Sequence, residues 1–311
     1  MKYYWEVHYE KEIMKIPKNN VLLYGPTGCG KTYILQKLAE FMNVPFHIAD
    51  ASLITEASYK GNDIEGIISG LYQASGKDIK KTEKGIIFLD EFDKLSSRFG
   101  ANPGDRNVGA GVQRQMLKMI EGSVMEVPEN SYRINGTSVM IDTSNILFVC
   151  GGAFEGIKNK ASNNNPIGFG KEFKIIENND KPTAEDFVKY GFVRELIGRL
   201  LAIVGVEALT IQDLIDILEK AEDSIVKKYV TVFDKLYNVK LEFTKEAIEE
   251  IAKQAYNKGI GARGLNSIVG DLVQELMYEA PSNPAITGCC ITAEVVKKIA
   301  EPQIIYYEDE R

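Results

Sequence analysis

The stretch VLLYGPTGCGKT, residues 21–32, decides the fold. A short apolar run ends in glycine, and the octet GPTGCGKT at 25–32 satisfies G-x-x-x-x-G-K-[S/T]. The run reads as a buried strand and the residues after the octet open a helix. Gly25, Gly28 and Gly30 let the backbone turn its N–H groups onto phosphate oxygens. The helix N-terminus adds the positive end of a dipole. Pro26, Thr27 and Cys29 complete the loop, Lys31 is the residue that reaches the β- and γ-phosphates, and the Thr32 hydroxyl is a Mg²⁺ ligand. A chain of this size meets the pattern by chance in about 1% of cases.

Outward from that loop, the next informative segment is GIIFLDEF at 85–92. A buried strand ends there in two carboxylates, Asp90 and Glu91, where α/β sheets bind their ligands. Asp90 is placed to hold the water shell of a Mg²⁺ ion, and Glu91 to orient and polarise an attacking water. An Asp-Glu pair favours hydrolysis over simple nucleotide holding. Two further runs, PFHIA at 45–49 and NILFVCGG at 145–152, are also short and rich in Val, Ile, Leu and Phe. Their alternation with helical patterns predicts an α/β domain with a parallel sheet over residues 1–204. Beyond Val204 the chain reads as a smaller, mostly helical domain, 205–311. Leu265, Ile268, Val269, Leu272, Val273, Leu276 and Met277 lie on one predicted helix face, and Thr210 and Thr244 stand at N-cap positions. A strand is expected at Ile286–Ile291, followed by a short helix. Residues 96–110 and 156–183 read as long loops, which inside a compact domain point to function.

Composition narrows the class. The chain has 311 residues, 44% of them hydrophobic and 26% charged, as in ordinary globular proteins, and a net charge of −7. The acidic balance disfavours duplex DNA as the main partner, since phosphate binding needs a basic face. Cys29, Cys150, Cys289 and Cys290 form no C-x-x-C pair, so no zinc is expected and free thiols in a reducing cytoplasm are the simplest reading. No apolar run has the length of a membrane span, and MKYYWEVHYEKE is not a signal peptide. His8 and His47 are read as structural or surface residues, so no peptidase site can be assembled from them.

The two nucleotide motifs, with the segments that follow, resemble the AAA+ ATPases, and among them the ClpX family of Clp-protease unfoldases. The likeness runs from about Asn20 to Ser282 and is carried by VPFHIADASLITEASYKGNDIE at 44–65, GAGVQRQMLKMIEGSV at 109–124, DTSNILFVCGGAF at 142–154, GFVRELIGRL at 191–200 and GARGLNSIV at 261–269. NPIGFG at 165–170 points to ClpX rather than to related unfoldases such as HslU. The resemblance implies ATP and Mg²⁺ as cofactors and a homo-oligomeric, hexameric ring. It implies unfolded or tagged proteins as substrates and the ClpP peptidase ring as partner. It makes Arg199 an arginine finger for the neighbouring subunit's nucleotide, and Arg263 the sensor-2 arginine of the same subunit. A hinge is expected near 201–206.

Tyr59 and Lys60 fall in the first pore loop, where the family has Gly-Tyr-Val-Gly and this chain has Ser58-Tyr59-Lys60-Gly61. An aromatic ring grips a polypeptide by packing, and the lysine makes the pore more basic. The second pore loop lies near 102–110, with Arg106 one position out of the family register. Ile167, Gly168 and Phe169 match the loop that docks in clefts of ClpP. Some family features are missing from the sequence: the zinc-binding N-terminal domain, the Val-Ile-Gly-Gln segment of the adenine pocket, and the Arg-Lys-His cluster, for which Arg133 at 128–139 is the nearest basic residue. Gly151–Gly152 stand where the sensor-1 polar residue is sought, which leaves Asn145 as a candidate. Two other classes remain open on residues alone: a nucleic-acid motor or clamp-loader-like ATPase, and a protease-independent remodelling ATPase or scaffold.

Overall fold

The computed structural model describes residues 18–54, 62–96, 106–129, 137–157 and 181–307. The chain divides into two compact units. One takes the residues up to Pro26 and Lys31–Val206, the other Thr27–Gly30 and the residues from Glu207 onward.

In chain order the first unit contains β1 (Val21–Tyr24), α1 (Lys31–Met42), β2 (Phe46–Asp50), α2 (Asn62–Ala74), β3 (Ile86–Asp90), α3 (Arg106–Glu121), β4 (Val124–Pro128), β5 (Ser138–Asp142), β6 (Leu147–Gly152), α4 (Ala184–Tyr190), α5 (Arg194–Ile197) and β7 (Ala202–Gly205). Its main sheet runs β2-β3-β6-β1-β7, and each pairing is parallel. The inner strands β1, β3 and β6 are almost wholly apolar and buried because both faces of the sheet are covered there, whereas the edge strands β2 and β7 are half-buried to exposed. Side-chain alternation sorts them. Leu22, Ile87, Leu89, Phe148 and Cys150 join one core with α2 and α3, while Leu23, Ile86, Phe88, Leu147 and Val149 join another with Leu35, Ala39 and Met42 of α1.

Four expected strands therefore exist, and a fifth was not anticipated. Ala202–Gly205 pairs with Val21–Tyr24, and the Val206 N–H donates to the Tyr24 carbonyl at 2.8 Å. This ladder fixes 202–205 to the sheet, and the division between the units falls after Val206, at the end of the segment near 201–206 where a hinge is expected. The β4–β5 hairpin was also unanticipated. Residues 106–110, expected to be loop, form the first turns of α3.

Two buried amides tie distant segments of this unit together. Asn20 is 2% exposed. Its Nδ2 donates to the carbonyls of Ile120 (3.2 Å) and Arg199 (3.4 Å), and its Oδ1 accepts the Phe148 N–H (3.2 Å). Gln113 of α3 donates to the carbonyls of Leu95 (2.8 Å) and Gly191 (3.3 Å) and accepts the Val193 N–H (2.7 Å). Both amides use donors and acceptors alike, as burial requires.

The second unit contains α6 (Ile211–Glu219), α7 (Ile225–Val232), β8 (Lys240–Phe243), α8 (Lys245–Asn257), α9 (Gly261–Glu279), β9 (Ile286–Ile291), α10 (Ala293–Val296) and β10 (Gln303–Tyr306). The expected strand at 286–291 is present and is the centre of a β10-β9-β8 sheet, parallel to β8 and antiparallel to β10. Thr210 caps α6 in a reciprocal box with Asp213, which holds the Asp213 carboxyl below the usual carboxylate range, and Thr244 caps α8. On α9, Leu265, Ile268, Val269, Val273 and Leu276 are buried, whereas Met277 is exposed. At about 100° per residue Met277 lies about 120° round the helix from Leu265, at the edge of the stripe rather than on it.

Candidate functional site

The glycine loop follows β1 directly, and its first residue is anchored to the neighbouring strand: the Gly25 N–H donates to the Gly152 carbonyl at 3.2 Å. Gly28 and Gly30 take φ of +77° and +90°, a region closed to most side chains. A Cβ at Gly30 would meet nothing within 4 Å, so glycine is required there by conformation and not by space. Lys31, 8% exposed, opens α1 and folds back over the loop, its Nζ donating to the carbonyls of Gly25 (2.7 Å) and Pro26 (2.9 Å). Thr32 follows, half-buried, and no acidic residue occupies the first turn of α1. An uncompensated helix N-terminus, left-handed glycines and a buried ammonium make an anion cradle, so the residues fit a phosphate group.

Sheet register brings the carboxylates to the same end. Tyr24 stands opposite Gly152, and Leu89 opposite Cys150, on the two sides of β6. Asp90 is thus level with Gly151, two strands and about 10 Å from the start of the glycine loop. Its Oδ1 accepts the Glu91 N–H at 2.9 Å. Glu91 is exposed and left-handed, φ +53° and ψ +29°. A non-glycine residue in that region is a local strain of about 1–2 kcal/mol, of the kind that gathers where a side chain must be aimed.

Asn145 does not belong to this cluster. It precedes β6, at the opposite end of the strand from Gly151, a separation of about 20 Å. Side chains at the near end are excluded sterically: a Cβ on Gly151 would lie 2.3 Å from the Phe88 ring, and one on Gly152 would lie 2.4 Å from Asp93 Oδ1. The sensor-1 candidate is therefore withdrawn.

Arg199 follows α5 on the surface of the first unit. Its Nε donates to Glu121 Oε1 at 2.7 Å, and Nη2 lies 2.7 Å from the same oxygen. Arg263 is exposed in the first turn of α9, in the second unit. Tyr59, Lys60, Arg133, Ile167, Gly168 and Phe169 lie outside the described residues. Arg106 begins α3. His47 fits its structural reading: it is half-buried with its ring against Gly70, and burial lowers its pKa. Glu121 and Asn20 were not singled out from the sequence.

A phosphate cradle and an acidic strand end on a five-stranded parallel sheet define a nucleotide-hydrolysing class of α/β protein. The AAA domain (Cdc48 subfamily) matches residues 16–203, and the C-terminal, D2-small domain of ClpB protein matches 209–301. The chain is 46% identical over 279 residues to the ATP-dependent Clp protease ATP-binding subunit ClpX of Treponema denticola, which covers 86% of this chain and 67% of that protein. It is 37% identical over 311 residues to the ATP-dependent Clp protease ATP-binding subunit ClpX 2 of Wolinella succinogenes, covering 97% of this chain and 77% of the relative. The chain is an AAA ATPase and belongs to the ClpX family of ATP-binding subunits.

Proposed function

We propose that this chain is an ATP-driven protein unfoldase that works as a hexameric ring and feeds substrates to the ClpP peptidase. The observation that carries the reading is the meeting of the Gly25–Thr32 loop and the Asp90–Glu91 strand end at one end of the sheet, in a chain whose relatives are named as ATP-binding subunits of a Clp protease.

In this reading Gly25, Pro26, Thr27, Gly28, Cys29 and Gly30 surround the phosphates and Lys31 exchanges its two loop carbonyls for phosphate oxygens. Thr32 and Asp90 hold Mg²⁺, which when bound draws charge from the phosphate oxygens. Glu91 orients the attacking water, its position fixed by the turn that its left-handed backbone makes. Arg199 reaches the nucleotide of the neighbouring subunit, where a guanidinium spreads positive charge over the transferring phosphoryl group, and Arg263 serves the nucleotide of its own subunit. Tyr59 and Lys60 grip the threaded polypeptide, and Ile167–Gly168–Phe169 dock on ClpP.

The test is whether the chain, with ATP, Mg²⁺ and a ClpP ring, degrades a stably folded tagged protein. Degradation that stops when ATP is replaced by a non-hydrolysable analogue supports the reading. ATPase stimulated by single-stranded DNA but not by unfolded protein would move the chain to the nucleic-acid motors.

A further inference from the structure

Glu121 is the last residue of α3, beside the negative end of the helix dipole. A carboxylate there is locally unfavourable, and such a break with a local rule asks for a compensating partner. The partner is Arg199, which meets one carboxylate oxygen through Nε and Nη2, both at 2.7 Å. The backbone beneath the pair is held as well. The buried Asn20 Nδ2 binds the carbonyls of Ile120, next to Glu121, and of Arg199 itself. Two segments 78 residues apart in sequence are thus joined at side-chain and main-chain level.

The pair remains open to solvent, with the arginine side chain 57% and the glutamate 36% exposed. Exposed ion pairs add little to stability, so stability alone does not account for it. Its geometry suits another task. Glu121 takes the Nε edge of the guanidinium and leaves the two N–H donors of Nη1 for a second acceptor. A long side chain that otherwise samples many rotamers is thereby held ready before its target arrives.

We propose that Glu121 is a positioning residue: it orients the Arg199 guanidinium on the subunit surface so that its remaining donors meet the terminal phosphate held by the next subunit. The inference rests on the reading of Arg199 given above. It is tested by ATP hydrolysis of the assembled full chain carrying Glu121→Ala, Glu121→Gln, Arg199→Ala and the double change Glu121→Ala/Arg199→Ala. Glu121→Ala lowers kcat about fivefold with the KM for ATP, thermal unfolding and ring assembly unchanged. Glu121→Gln, whose amide oxygen still accepts from Nε, recovers part of the loss. In the Arg199→Ala background Glu121→Ala changes kcat by less than about 1.5-fold, since its only route of action is gone. An equal loss in both backgrounds, unchanged kcat in Glu121→Ala, or a rise in kcat overturns the role of Glu121 alone. Parent turnover in Arg199→Ala overturns the reading of Arg199, and the present proposal with it.

Discussion

Glu91 combines an exposed carboxylate with a left-handed backbone at the end of a buried strand. Removing its charge while keeping its shape separates binding from chemistry. Glu91→Gln retains ATP binding, measured with a fluorescent analogue, while phosphate release falls about 100-fold or more. Turnover at the parent rate would remove Glu91 from the mechanism. Gly152 makes a second prediction. Its substitution by alanine drives a Cβ to 2.4 Å from a buried carboxylate, so Gly152→Ala loses about 1–3 kcal/mol in urea unfolding. Lys31, Thr32 and Asp90 were legible in the sequence because phosphate chemistry packs its residues into one loop and one strand end. Glu121 and Asn20 were not. Their partners lie 78 to 179 residues away, and a lone Glu or Asn carries no local pattern.

Elements were legible where the hydrophobic period was long enough to count. The strands β1, β3 and β6 announce themselves by unbroken apolar runs and β2 by a run broken by His47; β7, four residues reading AIVG, is too short to be told from a turn. What fixes it is the tertiary ladder to β1. Gln113 shows the same dependence on context. It sits in α3 amid polar residues in the sequence, yet it is fully buried and bonded to three backbone groups. Gln113→Met fills the volume but strands the Val193 N–H and the Leu95 carbonyl, and costs about 2–4 kcal/mol in urea unfolding. Lys18 offers a pH-dependent case. Its ammonium donates to the carbonyls of Thr143 (2.7 Å) and Ile146 (3.2 Å), and burial lowers its pKa to about 8, opposed by Asp142. The folded state then binds fewer protons than the unfolded one between pH 8 and the ordinary lysine value of 10.5. Stability contributed through this group therefore rises with pH across that window. Lys18→Met flattens the rise, read as the difference between the two proteins in urea unfolding at pH 7.5 and 9.5; an unchanged slope would exclude Lys18 as its source.

For the molecule as a whole, the sequence announced two kinds of domain through a change from alternating runs to helical stripes, and the structure divides after Val206. The proposed coupling to a peptidase is tested apart from the nucleotide site. Phe169→Ala abolishes co-sedimentation with a ClpP ring while ATP turnover stays at the parent rate; retained co-sedimentation would rule out docking through this loop. The proposed docking loop is marked in the sequence only by apolar residues in a polar stretch, a signal that gains meaning from family likeness and not from periodicity.

The helix Arg106–Glu121 has a mechanical corollary. Its first turn lies within the stretch near 102–110 read as the second pore loop, and its last residue pairs with Arg199, the proposed finger. Sixteen residues of α-helix span about 24 Å. Tension exerted by a resisting substrate at one end would reach the subunit boundary at the other through a stiff rod, with no refolding in between. Such a linkage would let a stalled cargo slow the neighbour's fuel consumption.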